Sequence, residues 1–135
     1  MKKITIALLS ATLVFASSAS ASESDVATLK TKLKPWQPSE VFTKGEQMTV
    51  VLPASAIDQD AYKAIISVGV CTPIWNKDVP TSYLQNVQQI NVTNKFKVAG
   101  YSFESPLKVC KEMGDLMEKP AEVKMLSNTH IYKAK

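Results

Sequence analysis

The chain has no arginine. Its 16 basic residues are all lysine, set against 12 acidic ones. Arginine supplies the planar fork that grips phosphates and guanine edges with two hydrogen bonds at once, whereas lysine is a point charge. That absence, with Asp and Glu interspersed among the lysines, argues against nucleic acid as a partner and for an ordinary solvated surface. Glycine is scarce, standing only at positions 45, 69, 100 and 114, so no Gly-rich phosphate loop exists. G-x-S-x-G and C-x-x-C are missing too, which removes the usual nucleophile elbow and redox pair. There is one histidine, His130, and there are two cysteines, Cys71 and Cys110. A nucleophilic cysteine would need His130 as its base, and nothing in the spacing asks for that pairing. A zinc site needs three or four ligands, and these three residues barely reach the minimum without a recognisable spacing. The carboxylate pairs Asp58/Asp60 and Glu112/Asp115 sit near helix starts or on exposed faces, where helix polarity and solvation explain them. The sequence therefore offers no catalytic residue, no metal site and no cofactor, and it is read as a non-enzyme.

What is present begins with an address. "MKKITIALLSATLVFASSASAS" has a positive start at Lys2 and Lys3, an apolar run from Ile4 to Phe15, and small residues with Ala19 and Ala21 placed as an A-x-A site. This is the pattern of a cleaved secretory signal over residues 1–21, too short to serve as a membrane span. The mature chain is expected to start at Ser22, without a transmembrane anchor, in a bacterial periplasm or outside the cell. The net charge of +4 falls to +2 once Lys2 and Lys3 are removed, so the headline basicity belongs partly to the signal.

Residues 22–47 read as an N-terminal helix followed by a Pro-containing connector. In "SDVATLKTKLK" Val26, Leu29 and Leu33 recur at helical spacing, with Ser24 and Asp25 as caps and Pro35 as the stop. Residues 48–135 read as a single globular α+β domain. "MTVVLP" is a strand; "SAIDQDAYKAIISVGV" is a helix with Ser55 and Asp58 at its start, an apolar stripe of Ile57, Ala61, Ile65 and Val68, and an end near Gly69 to Cys71, before Pro73. Residues 81–104 are ambiguous. As strand, Ile90, Val92, Phe96 and Val98 alternate with polar residues, Tyr101 and Phe103 alternate in the opposite phase, and Asn94-Lys95 can close a hairpin. As helix, residues 81–99 would make the protein mostly α. The strand reading is preferred. "SPLKVCKEMGDLMEK" is a helix that starts at Ser105-Pro106, buries Val109, Cys110, Met113, Leu116 and Met117, and stops at Pro120; a short strand closes the chain. The expected architecture is a short antiparallel sheet with two or three helices, in the β-α-β-β-α-β order of a split βαβ sandwich.

Two cysteines in an oxidising compartment usually pair. A Cys71–Cys110 disulfide would close a loop of about 40 residues and stabilise the fold by roughly 4 kcal/mol. With no catalytic equipment visible, the expected function is to bind another periplasmic or secreted protein, as an inhibitor, immunity factor or accessory subunit. The candidate contacts are aromatics in expected loops: Trp36, Trp75 and Tyr83. A small-ligand or envelope-associated module is the second reading, and an enzyme without a recognisable motif the third.

Overall fold

In the computed structural model, which describes residues 11–14 and 21–135, five strands form one mixed sheet in the chain order β1-β2-β3-β4-β5. They are β1 (Glu40–Lys44), β2 (Gln47–Val51), β3 (Gln89–Thr93), β4 (Gly100–Glu104) and β5 (Thr129–Ile131). The pairs β1–β2, β3–β4 and β4–β5 are antiparallel, and β2–β3 is parallel. The helices are α1 (Glu23–Lys32), α2 (Gln59–Ala64), α3 (Thr72–Trp75), α4 (Pro106–Gly114) and α5 (Glu118–Ser127), with a π-helical segment Ile65–Cys71 joining α2 to α3. The protein is thus α+β, as the sequence suggests. The export signal expected over residues 1–21 falls mostly outside the described residues. No helix among the described residues is long and apolar enough to cross a membrane.

The strand reading of residues 81–104 holds in outline, with two differences. The two strands are shorter than the alternation implied, and the turn Asn94–Ala99 leaves Phe96 and Val98 exposed. Asn94 closes that turn: its Oδ1 accepts from the Val98 and Ala99 amides at 3.1 and 3.4 Å. The sheet is not purely antiparallel, and the split arrangement does not form. β2 and β3 pair directly across the helical crossover, as an unsplit βαβ unit requires.

Four local expectations are corrected. The stretch read as extended connector holds β1, which pairs with β2 across the tight turn Gly45-Glu46. Ser22, rather than Ser24, caps α1, its Oγ accepting from the Asp25 amide at 3.1 Å. The helix expected to stop before Pro73 runs on to Trp75. The π register makes this workable, because Thr72 N–H reaches back to the Ser67 carbonyl and Pro73 falls in the first turn of α3, where no amide donor is needed. In the same helix the buried stripe runs through Tyr62, Ile65, Ile66 and Val70, while Val68 points to solvent, 56 % exposed. Finally, α4 stops at Gly114 and Pro120 sits in the first turn of α5, so Leu116 and Met117 lie in the connection, outside the core.

The core lies between the helices and one face of the sheet. Met48, Val50, Ile90, Val92 and Phe103 meet Leu29, Leu33, Ile65, Val109 and Met113 there. Tyr62 packs on Tyr101 with ring centroids 4.9 Å apart. Thr129 donates its hydroxyl to the Met125 carbonyl at 2.9 Å, so Tyr62 is the donor in its 2.6 Å bond to Thr129 Oγ1. Burial pushes the Tyr62 hydroxyl well above its ordinary range, which keeps that donor protonated and α2 tied to the α5–β5 corner. Among the described residues no helix lines the opposite face of the sheet.

Candidate functional site

Cys71 and Cys110 are joined by a disulfide. It links the end of the π segment to α4 in the middle of the helical layer, with both residues fully buried. That bond leaves no thiol for a nucleophile or a metal, and His130 lies elsewhere, its Nδ1 3.3 Å from Glu104. Among the described residues no group of three His, Cys, Asp or Glu is placed to hold a metal ion.

Beside the disulfide the helical layer opens into a groove of about 470 Å³, lined by Ala64, Trp75, Met113, Leu116, Ala121 and Met125 with Lys63, Ser67, Glu118 and Glu122 at its polar edge. Each wall has a reason in the sequence. Trp75 is carried past Pro73 by the π segment, and its Nε1–H donates to the Cys110 carbonyl at 2.6 Å. Its pyrrole edge lies against Gly114, where an added Cβ would come within 2.9 Å of Nε1 and 3.0 Å of Cδ1. A tryptophan bonded at one edge and seated on a glycine is held in one orientation. It is nonetheless 39 % exposed.

Ion pairs brace the groove. Lys63 Nζ bonds Glu122 at 2.9 Å and Asp60 at 3.2 Å, joining α2 to α5. Those two carboxylates, Glu122 foremost, hold the Lys63 ammonium above its ordinary range. Lys124 reaches Glu112 at 2.8 Å and joins α5 to α4; that contact, mainly, holds the Glu112 carboxyl below the usual carboxylate range. Both pairs are solvent-exposed and worth little in stability, but they fix the spacing of the walls.

Of the three aromatics named from the sequence, Trp75 alone lines this groove. Trp36 follows α1 in a 3₁₀ turn and packs half-buried against the core. Tyr83 is 2 % exposed and offers nothing to a partner. Its hydroxyl has no hydrogen-bond partner among the described residues, and burial, with the nearby Asp25 charge adding to it, pushes it well above its ordinary range. Tyr83→Phe removes an unsatisfied buried donor without opening a cavity and should raise stability by about 1 kcal/mol. Urea denaturation of the two chains checks this; an unchanged or lower midpoint would show that the hydroxyl is satisfied after all.

The sequence reading missed Met113, Leu116, Gly114 and Lys63 as groove residues. They come from separate elements, and no spacing in the chain announces that they converge. No family model, curated protein or solved structure matches this chain.

Proposed function

We propose that this is an exported protein that acts by binding another protein, taking an apolar side chain of that partner into the groove beside the disulfide. The observation that carries the reading is Trp75: rigidly held, exposed, and set at an apolar groove. Buried-edge, exposed-face tryptophans of this kind are the residues on which interface energy concentrates. Met113 and Met125 give the floor adaptable, polarizable surface, and the braced walls lower the entropy lost on docking. Export is supported by the signal pattern and by the disulfide, which persists in oxidising compartments.

The test is partner capture from an envelope fraction by wild-type and Trp75→Ala protein, with circular dichroism to show that both are folded. Truncating a tryptophan of this kind costs about 2 kcal/mol or more, which should weaken capture by about thirtyfold. Equal capture by both would end the reading. The groove volume also falls within the range of small-molecule sites, about 300–1,000 Å³, and this favours a second reading as a carrier of an apolar metabolite. Native mass spectrometry separates the two: a carrier should fly with a bound small molecule that Trp75→Ala has lost.

A further inference from the structure

The helix-free face of the sheet carries a larger cavity, of about 850 Å³, and no acidic residue lines it. Its floor is one row of side chains, Phe42, Thr49, Asn91, Ser102 and His130, each paired by register with the next across the five strands. The three central members of this row are polar yet shielded, Thr49 being 6 %, Asn91 2 % and Ser102 0 % exposed. Asn91 organises it. Its Oδ1 accepts from Gln89 Nε2 at 2.5 Å and from Ser102 Oγ at 2.7 Å, and its Nδ2 donates to Thr49 Oγ1 at 3.2 Å and Gln47 Oε1 at 3.4 Å. All four side-chain positions of the amide are filled, so the floor is locked.

The groups left free toward the cavity are mostly donors: the Thr49 O–H, the Gln47 NH₂, and the ammonium groups of Lys44 and Lys133. Gln89 Oε1 and the Ser102 Oγ lone pairs are acceptors at the same level. Two carboxylates outside the lining meet it at its margins, Glu40 on Lys97 at 2.6 Å and Glu104 on His130 at 3.3 Å, which leaves Lys44 and Lys133 as rim cations without an acidic partner among the described residues. A donor-rich floor under a lysine rim recognises carboxylates.

We infer that this face binds an extended, carboxylate-rich peptide segment of a partner protein. Five strands at about 4.8 Å spacing make a floor about 19 Å long, the length of about six extended residues. Spaced lysines act as separate point charges, which suits carboxylates distributed along a chain. An acidic glycan would want an open aromatic platform, and the Phe42 ring is already covered by the Lys97 ammonium, 5.3 Å from its centroid. The site lies across the sheet from the Trp75 groove, so the two readings stand or fall separately.

The test uses the full mature protein and a fluorescently labelled short peptide of alternating Glu and Gly, titrated from low to physiological ionic strength. Charge reversal at the rim, Lys44→Glu with Lys133→Glu, should weaken binding by about tenfold or more and flatten its salt dependence. Lys108→Glu, on the exposed side of α4, should change nothing. Thr49→Val keeps the strand and the side-chain shape but removes one floor donor together with the oxygen that accepts from Asn91 Nδ2; it should cost about tenfold with the salt dependence unchanged. Absence of binding at low ionic strength, equal loss in the Lys108→Glu control, or undiminished binding by folded Thr49→Val would each overturn the proposal. So would displacement of the peptide by a carboxylated oligosaccharide that binds more tightly, since the face would then belong to a glycan. Trp75→Ala should leave peptide binding intact whatever it does to partner capture.

Discussion

Breaking the Cys71–Cys110 bond should cost about 4 kcal/mol of stability. The bridge spans 39 positions of chain, and the ring it closes in the unfolded ensemble sets that magnitude. Against a total of about 5–15 kcal/mol for a domain of this kind, the loss is large enough to leave the reduced protein partly unfolded at physiological temperature. The location sharpens the expectation. Both sulfurs sit in the core, and the Cys110 carbonyl receives the Trp75 indole, so the reduced chain loses the clamp on its groove as well as a constraint on its unfolded state. Thermal melts with and without reductant should differ by roughly 12–20 °C, taking about 3–5 °C per kcal/mol for a domain of this size. The Cys71→Ala/Cys110→Ala double variant should match the reduced protein. A melt that does not move on reduction would mean that the helical layer holds itself together without the bridge.

The disulfide was legible because compartment and cysteine count together leave little choice. The sheet was legible in part. Gln47-Met48-Thr49-Val50 and Gln89-Ile90-Asn91-Val92 alternate, and alternation is what a strand with one apolar face produces. β1 was hidden because prolines at 35 and 38 pointed to a connector, and an edge strand with one half-buried face shows little contrast along its length. Proline misled twice more, at 73 and 120, for one physical reason. A residue that cannot continue a helix fits well in the first turn of one, and a local reading cannot tell the end of one helix from the start of the next. The π segment is harder still. A stripe through Ala61 and Val68 falls one residue before Tyr62 and one before Gly69, because small and β-branched apolar residues on both sides of the true face leave the period without a unique phase. The groove is the least legible part. Trp75 drew notice as an aromatic after a proline, but Gly114 and Met113 matter only because the fold brings α4 beneath that ring. The polar row across the sheet was visible as the outward half of the alternation, and nothing in one strand shows that its polar residues meet those of four others.

Gly100→Ala should be about as damaging as losing the disulfide, at roughly 3–4 kcal/mol, by a different route. Gly100 starts β4 opposite Thr93 with φ at +153°. A Cβ there would fall 1.9 Å from the Val92 carbonyl oxygen and 2.9 Å from Thr93 Cα. Those are backbone atoms of a strand paired on both sides, so they cannot rotate aside as a side chain can. Relief requires β4 to pull away from β3 at its first residue, where the Gly100 carbonyl also accepts from the Tyr132 amide at 3.0 Å. Gly45→Ala is the internal control. It too has positive φ, +61°, but an added Cβ there meets nothing within 4 Å, so it should cost only the left-handed backbone term of about 1–2 kcal/mol. Urea midpoints of the two variants separate backbone collision from conformational preference, and equal losses would show that β4 yields more readily than its position implies. The variant also reaches the helix-free face. Ser102, two residues along β4, donates to Asn91, so a strand that pulls away at Gly100 loosens the locked floor. Folded Gly100→Ala protein should therefore bind the Glu-Gly peptide more weakly, although residue 100 carries no group that could touch it.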